Sequence, residues 1–173
     1  DTNGSSKGDE FRVHTQTSYE QYDPSVAALD NGGFVVTWET EYKDGEGDNY
    51  YNIHGQLYNA EGEAEGNEFL VNTDSVNNTQ QYEPSVTGLD GGGFVVTWEY
   101  GGQIYAQVYA SGGFPEGSNF DLSESTSNYL PSVASLDGGG FVVTWQNQTS
   151  VSGHTGSGTY TSTGQQTDIH GQV

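Results

Sequence analysis

The chain has 173 residues and a formal net charge of −21, from 24 Asp and Glu against 3 Lys and Arg. Three cations cannot neutralise a row of phosphates, and the chain's field repels nucleic acid and anionic membrane, which excludes both as partners. There is no cysteine for a disulfide framework, thiolate zinc site or cysteine nucleophile, and no stretch approaches the roughly 20 apolar residues of a membrane span.

At this length one domain can hold a packed core without staples. With no methionine, the chain is expected to start after processing or at a cut. Residues 1–9, DTNGSSKGD, are polar and Gly/Ser-rich and read as a flexible lead-in. Phe11-Arg-Val-His then alternates apolar with polar, the period of a strand. Phe69-Leu-Val-Asn and Phe120-Asp-Leu-Ser repeat it at matching places further on.

Pro24 to Trp38, PSVAALDNGGFVVTW, follows and is written three times. It returns as PSVTGLDGGGFVVTW from Pro84 to Trp98 and PSVASLDGGGFVVTW from Pro131 to Trp145, with 12 of 15 positions the same in all copies. Such identity means three copies of one structural unit. Two short runs rich in β-branched and aromatic residues flank Asp-Asn-Gly-Gly or Asp-Gly-Gly-Gly, whose glycines can take the positive φ of a tight loop, so the unit reads as a β-hairpin. Phe34, Val36 and Trp38 point to one face and Val35 and Thr37 to the other. A sheet of this kind expects neighbours on both sides. The three phenylalanines Phe34, Phe94 and Phe141 and the three tryptophans are therefore expected in the core.

After each tryptophan comes a connection and then a further strand: Ile53-His-Gly-Gln-Leu-Tyr, Ile104-Tyr-Ala-Gln-Val-Tyr and Ile169-His-Gly-Gln-Val. Proline to tryptophan is 14 residues in every copy, whereas tryptophan to the glutamine of this strand is 18, 9 and 27. A loop that varies beside a fixed frame is where function usually sits. Each repeat thus carries four strands, and the chain reads as a single all-β domain, 1–173, of three tandem four-stranded antiparallel repeats, 10–66, 67–117 and 118–173. Units of this size resemble β-propeller blades, partial or completed by association; a closed three-fold β-trefoil or β-prism is the alternative.

The run PSVxxLDxGGFVVTW, the Asp/Gly-rich stretch after it, and I-[HY]-[GA]-Q-[LV] resemble the tandem repeats of large secreted bacterial surface adhesins of the RTX, calcium-dependent type. The resemblance covers Glu10 to Val173. It implies export by type I secretion and work outside the cell, in attachment or biofilm matrix. The calcium-binding nonapeptide GGxGxDxUx of that group is missing here. The LDxGG turn is also similar to the Asp-box of sialidase-like propellers, which wants Ser or Thr two residues before the Asp; Ser135 matches, and Ala28 and Gly88 depart.

For a metal the candidates are Asp44, Glu46 and Asp48 in an Asp-Gly-Glu-Gly-Asp-Asn run, with Glu39 and Glu41 upstream. Alternate carboxylates separated by glycine can fold around one hard cation such as Ca2+. The other reading is a solvated acidic loop that serves solubility. Asp30, Asp90 and Asp137 recur in the hairpin turn and read as acceptors for backbone N–H groups.

For a ligand, Tyr22, Tyr82 and Tyr129 each precede the hairpin beside Gln21, Gln81 or Asn128, pairing a ring with an amide, which suits neutral sugars; the alternative is a tyrosine that closes the strand end. No catalytic residue is assigned. One arginine, Arg12, cannot supply a sialidase-type cluster, and no HExxH, GxSxG or P-loop appears. The sequence reads as a non-catalytic extracellular module that binds glycan or surface protein. A self-assembling fibre or matrix subunit, paired with further copies of itself or neighbouring repeats, is the alternative, and a propeller-type glycoside hydrolase a remote one.

Overall fold

In the computed structural model the residues described are 4–6, 8–43, 45–73, 80–153 and 162–173. Asp44 lies outside them. The elements are all strands: β1 (Glu20–Ala28), β2 (Phe34–Lys43), β3 (Asn49–Tyr58), β4 (Ala64–Leu70), β5 (Gln81–Gly88), β6 (Phe94–Tyr100), β7 (Gln103–Tyr109), β8 (Phe120–Asp121), β9 (Asn128–Ser135), β10 (Phe141–Gly153) and β11 (Ser162–Gln172). Among the described residues they form three antiparallel sheets, β1-β2-β3-β4, β5-β6-β7-β8 and β9-β10-β11, none of which closes on itself. Among the described residues no helix is long and apolar enough to cross a membrane.

The repeated hairpin is the same object each time. Ala28 faces Phe34, Gly88 faces Phe94 and Ser135 faces Phe141, and in each pairing the register slips one turn of the pleat earlier, beside the proline. The slip sits where Asp23, Glu83 and Leu130 take φ values of 46°, 56° and 53°. Non-glycine residues seldom enter that region, so its recurrence at three equivalent positions marks a built bulge that turns the strand.

Alternation along these strands puts two apolar faces on each sheet. Val35, Ile53 and Leu57 of the first sheet meet Phe94, Val96 and Trp98 of the second in one core. Val95, Ile104 and Ala106 of the second meet Val133, Val143 and Trp145 of the third in the next. The sheets therefore stack in series, the tryptophan face of each later sheet on the opposite face of the sheet before it. Side chains tie the layers together. The Ser25 hydroxyl accepts the Val86 N–H at 3.2 Å, Ser85 accepts that of Val133 at 3.2 Å, and Asp30 accepts that of Gly91 at 2.8 Å. The turn aspartate of the first repeat thus holds the neighbouring sheet's turn. All three tryptophans and Phe94 are buried, while Phe34 and Phe141 are half-buried at the margins of their cores.

The sheets run one strand out of phase with the sequence repeat. Phe69-Leu70 closes the first sheet on β3 rather than opening the second, and Phe120-Asp121 closes the second on β7. Each joins the nearest open ladder edge. Phe11–His14, with the same pattern, is not a strand, because a strand needs a ladder partner and none stands beside it among the described residues. It lies instead across the outer face of the first sheet, where Val13 packs on Val36, Trp38 and Tyr58.

Candidate binding cleft

A cleft of about 230 Å³ opens at this outer face, lined by Val13, His14, Gln21, Tyr22, Pro24, Val36 and Trp38. Its floor follows from the hairpin pattern, since Val36 and Trp38 are in phase on β2. Its rim is β1, where the bulge before Pro24 turns Tyr22 outward, and its roof is the Phe11–His14 segment. Trp98 is covered by the first sheet, and beside Trp145 a second cavity of about 430 Å³ is lined by Leu122, Glu124, Ser125 and His170, far more polar at its rim than the cleft under Val13.

The polar groups around the cleft are committed to the protein. The Tyr22 hydroxyl donates to Glu41 Oε2 at 3.1 Å, and that bond, with burial and nearby carboxylates, raises its pKa. Gln21 donates from its amide nitrogen to the Tyr19 carbonyl at 3.1 Å and accepts from the Thr40 hydroxyl at 2.7 Å. Trp38 stacks on His54 with ring centroids 6.3 Å apart, and burial lowers the His54 pKa. The same stack recurs as Trp98 with Tyr105 and Trp145 with His170, both at 6.2 Å.

The other ring-and-amide pairs are one to a sheet and do not reach this cleft. Tyr82 donates to Gln80 and tilts against Tyr51 at 5.0 Å, while Gln81 is fully buried with its amide nitrogen unpartnered. Asn128 donates to the Gly102 carbonyl at 3.0 Å and accepts from Asn147 at 2.8 Å, bracing the turn before β7. Tyr129 is half-buried beside it.

The acidic residues separate into two groups. Glu39 and Glu41 are buried in β2, and Glu46 and Asp48 are exposed at the tip of the β2–β3 hairpin. Glu39 stands seven residues from Glu46, with the turn between, and its carboxylate faces the second sheet, where it accepts the Glu83 N–H at 2.5 Å. Glu41 holds Tyr22 instead. Among the described residues no three His, Asp or Glu side chains converge as ligands for one ion.

Composition alone did not single out the acidic inner edge. There β1, β5 and β9 bring Asp23, Glu83 and Leu130 together with their prolines and Ser25 and Ser85 around a cavity of about 370 Å³. Burial pushes the Glu39 carboxyl up to about 7, against the Glu83 N–H bond, with Asp23 and Glu83 adding repulsion. Burial raises Glu83 and Glu99 as well, each opposed by a backbone N–H, from Leu130 and Gly102 respectively. The recurring Tyr-Asp-Pro-Ser and Tyr-Glu-Pro-Ser was the available signal. No protein-family model and no curated protein matches this chain.

Proposed function

We propose that the chain is a non-catalytic binding module of a secreted bacterial surface protein, working outside the cell in attachment or matrix, with its sheets as the blades of a propeller-like array. The observation that carries this is the cleft under Val13, apolar in its floor and open at its rim. Such a wall takes an apolar side chain or the apolar face of a sugar. A protein surface is favoured over a glycan, because Trp38 is only 4% exposed and offers no ring face for stacking, and because Gln21 and Tyr22 already bond within the chain. Glycan recognition at Tyr22, Tyr82 and Tyr129 is the second reading, supported by the 42% exposure of Tyr22. Calcium is proposed as a stabilising ion at the acidic hairpin tip, through Glu46 and Asp48.

The experiment is binding of the full chain to a glycan array and to surface proteins, beside a reducing-sugar assay on the same glycans. Binding without turnover, weakened about tenfold by Val36→Glu in the cleft floor or by Tyr22→Ala at its rim, is expected; tenfold corresponds to about 1.4 kcal/mol. Release of reducing sugar would overturn it in favour of a hydrolase.

A further inference from the structure

Among the described residues the first two sheets have four strands and the third has three. In both complete sheets the fourth strand comes from a Phe-x-[Val/Leu] segment that lies beyond the sheet's own hairpins. Val71 donates its N–H to the Ile53 carbonyl at 2.8 Å, and Leu122 donates to that of Ile104 at 2.7 Å. In the third sheet the equivalent residue is Ile169, in the same register on its hairpin partner: Glu39 faces Ile53, Glu99 faces Ile104 and Gln146 faces Ile169. Its backbone therefore points out from the edge, and β11 is an edge strand among the described residues.

Phe11-Arg-Val-His has the sequence of that missing strand and already occupies its place relative to the sheet that follows. The Tyr58 hydroxyl donates to the Val13 carbonyl at 2.7 Å, as Tyr109 donates to that of Val71 at 3.5 Å. Phe11 lies 5.4 Å from the Tyr58 ring, and Phe69 lies 5.4 Å from that of Tyr109. Phe11–His14 is thus set against the first sheet as the closing strand of a preceding sheet would be.

Exposure gives the same answer at both ends. Ile53 and Ile104 are 0% exposed and Ile169 is 71%, while Val86 and Val133 are 6% and 8% exposed and Val26 is 65%. Ile169 and Val26 are thus bare at the two ends where their equivalents are buried in the interior junctions, while Val36 and Trp38 are covered by Val13. Gly171 shows the seat of the ring. At its equivalent, Gly55, a Cβ would come within 2.6 Å of the Phe69 ring, whereas at Gly171 no aromatic ring stands close.

We infer that the chain assembles head to tail with a second copy, Phe11–His14 of one copy adding as the fourth strand along β11 of the other. The Val13 N–H meets the Ile169 carbonyl, Phe11 covers Gly171, and the third sheet's outer face closes over the Val26 and Trp38 side of the first. Within this chain the two halves of the junction lie at opposite ends of the stack, so they do not close on each other. The inference rests on reading the chain as a binding module and names the occupant of its cleft.

The test is sedimentation velocity of the full chain across the micromolar range. The wild-type chain associates, as a closed pair or a longer array. Gly171→Leu fills the ring seat and Val13→Pro removes the donor N–H, and each is monomeric with an unchanged far-ultraviolet circular dichroism spectrum. Phe11→Asp, at a half-exposed position, is the second head variant should proline disturb the fold. Mixing a head variant with Gly171→Leu restores association, since one intact head and one intact tail remain. A wild-type chain that stays monomeric, variants that associate as it does, or a mixture that stays monomeric would overturn the inference. A monomer that still binds glycan or foreign protein in the cleft would do so while leaving the binding-module reading in place.

Discussion

The Glu39 carboxylate accepts the backbone N–H of Glu83 at 2.5 Å, across the junction of the first and second sheets. Glu83 repeats the arrangement one sheet on, accepting the N–H of Leu130. A carboxylate thus spans each junction, buried at Glu39 and half-buried at Glu83, and each stands near another acid.

That arrangement sets a pH dependence. Burial first, then Asp23 and Glu83, push the Glu39 carboxyl up to about 7, above its ordinary 4.5. A raised acid keeps its proton in the folded state where the unfolded chain has lost it, so its stabilisation is full below pH 4.5 and is lost as pH rises through 7. Glu83 and Glu99 shift the same way. Urea midpoints should fall between pH 5 and pH 8, with Glu39 contributing about 1 to 2 kcal/mol after allowance for solvent screening. Glu39→Gln keeps an acceptor for the Glu83 N–H and should flatten the curve and stabilise at pH 8. A midpoint that rises over this range would contradict the account.

Trp98 is 1% exposed in the core between the first two sheets, whereas Trp38 borders the cleft. Trp98→Ala should cost about 3 to 5 kcal/mol in urea unfolding. Trp38→Ala should cost less, because water can enter the space it leaves.

Gly88 stands where the other repeats have Ala28 and Ser135, and a Cβ there would lie 2.3 Å from the Ala28 carbonyl oxygen. Gly88→Ala should therefore wedge the first sheet from the second and cost about 1 to 3 kcal/mol by thermal or urea unfolding. Gly91→Ala, with open space around it but a φ of 89°, should lose about 1 kcal/mol, from backbone strain alone.

Calcium at the hairpin tip is checked by melting temperature in calcium, magnesium and chelator at matched ionic strength. Binding to the folded state alone should add about 2.7 kcal/mol at a hundred times Kd, and magnesium should do less. Glu46→Gln with Asp48→Asn should abolish the difference. Equal melting in calcium and chelator would leave the loop as a solvated acidic surface.

The sequence by itself determined the strands of the repeated hairpin, because these depend on neighbours in the chain: alternation sets the face of Val35 and Trp38, and the Asp-x-Gly-Gly turn sets their register. Alternation alone did not make Phe11–His14 a strand, which needs a ladder partner. It also determined that the three tryptophans would be buried, since each is in phase with Phe and Val. Tertiary structure decided what no local period encodes. Phe69 and Phe120 could open one sheet or close another, and the free ladder edges of β3 and β7 chose the latter. Gln21 and Tyr22 could face a sugar or the protein, and Thr40, Tyr19 and Glu41 decided their bonds. Glu39 and Glu41, placed with the loop acids by sequence distance, were separated from them because a strand carries its residues away from its turn at about 3.3 Å each. Ile53, Ile104 and Ile169 are the same residue in the repeat, and only the stacking of sheets makes two of them core and one surface.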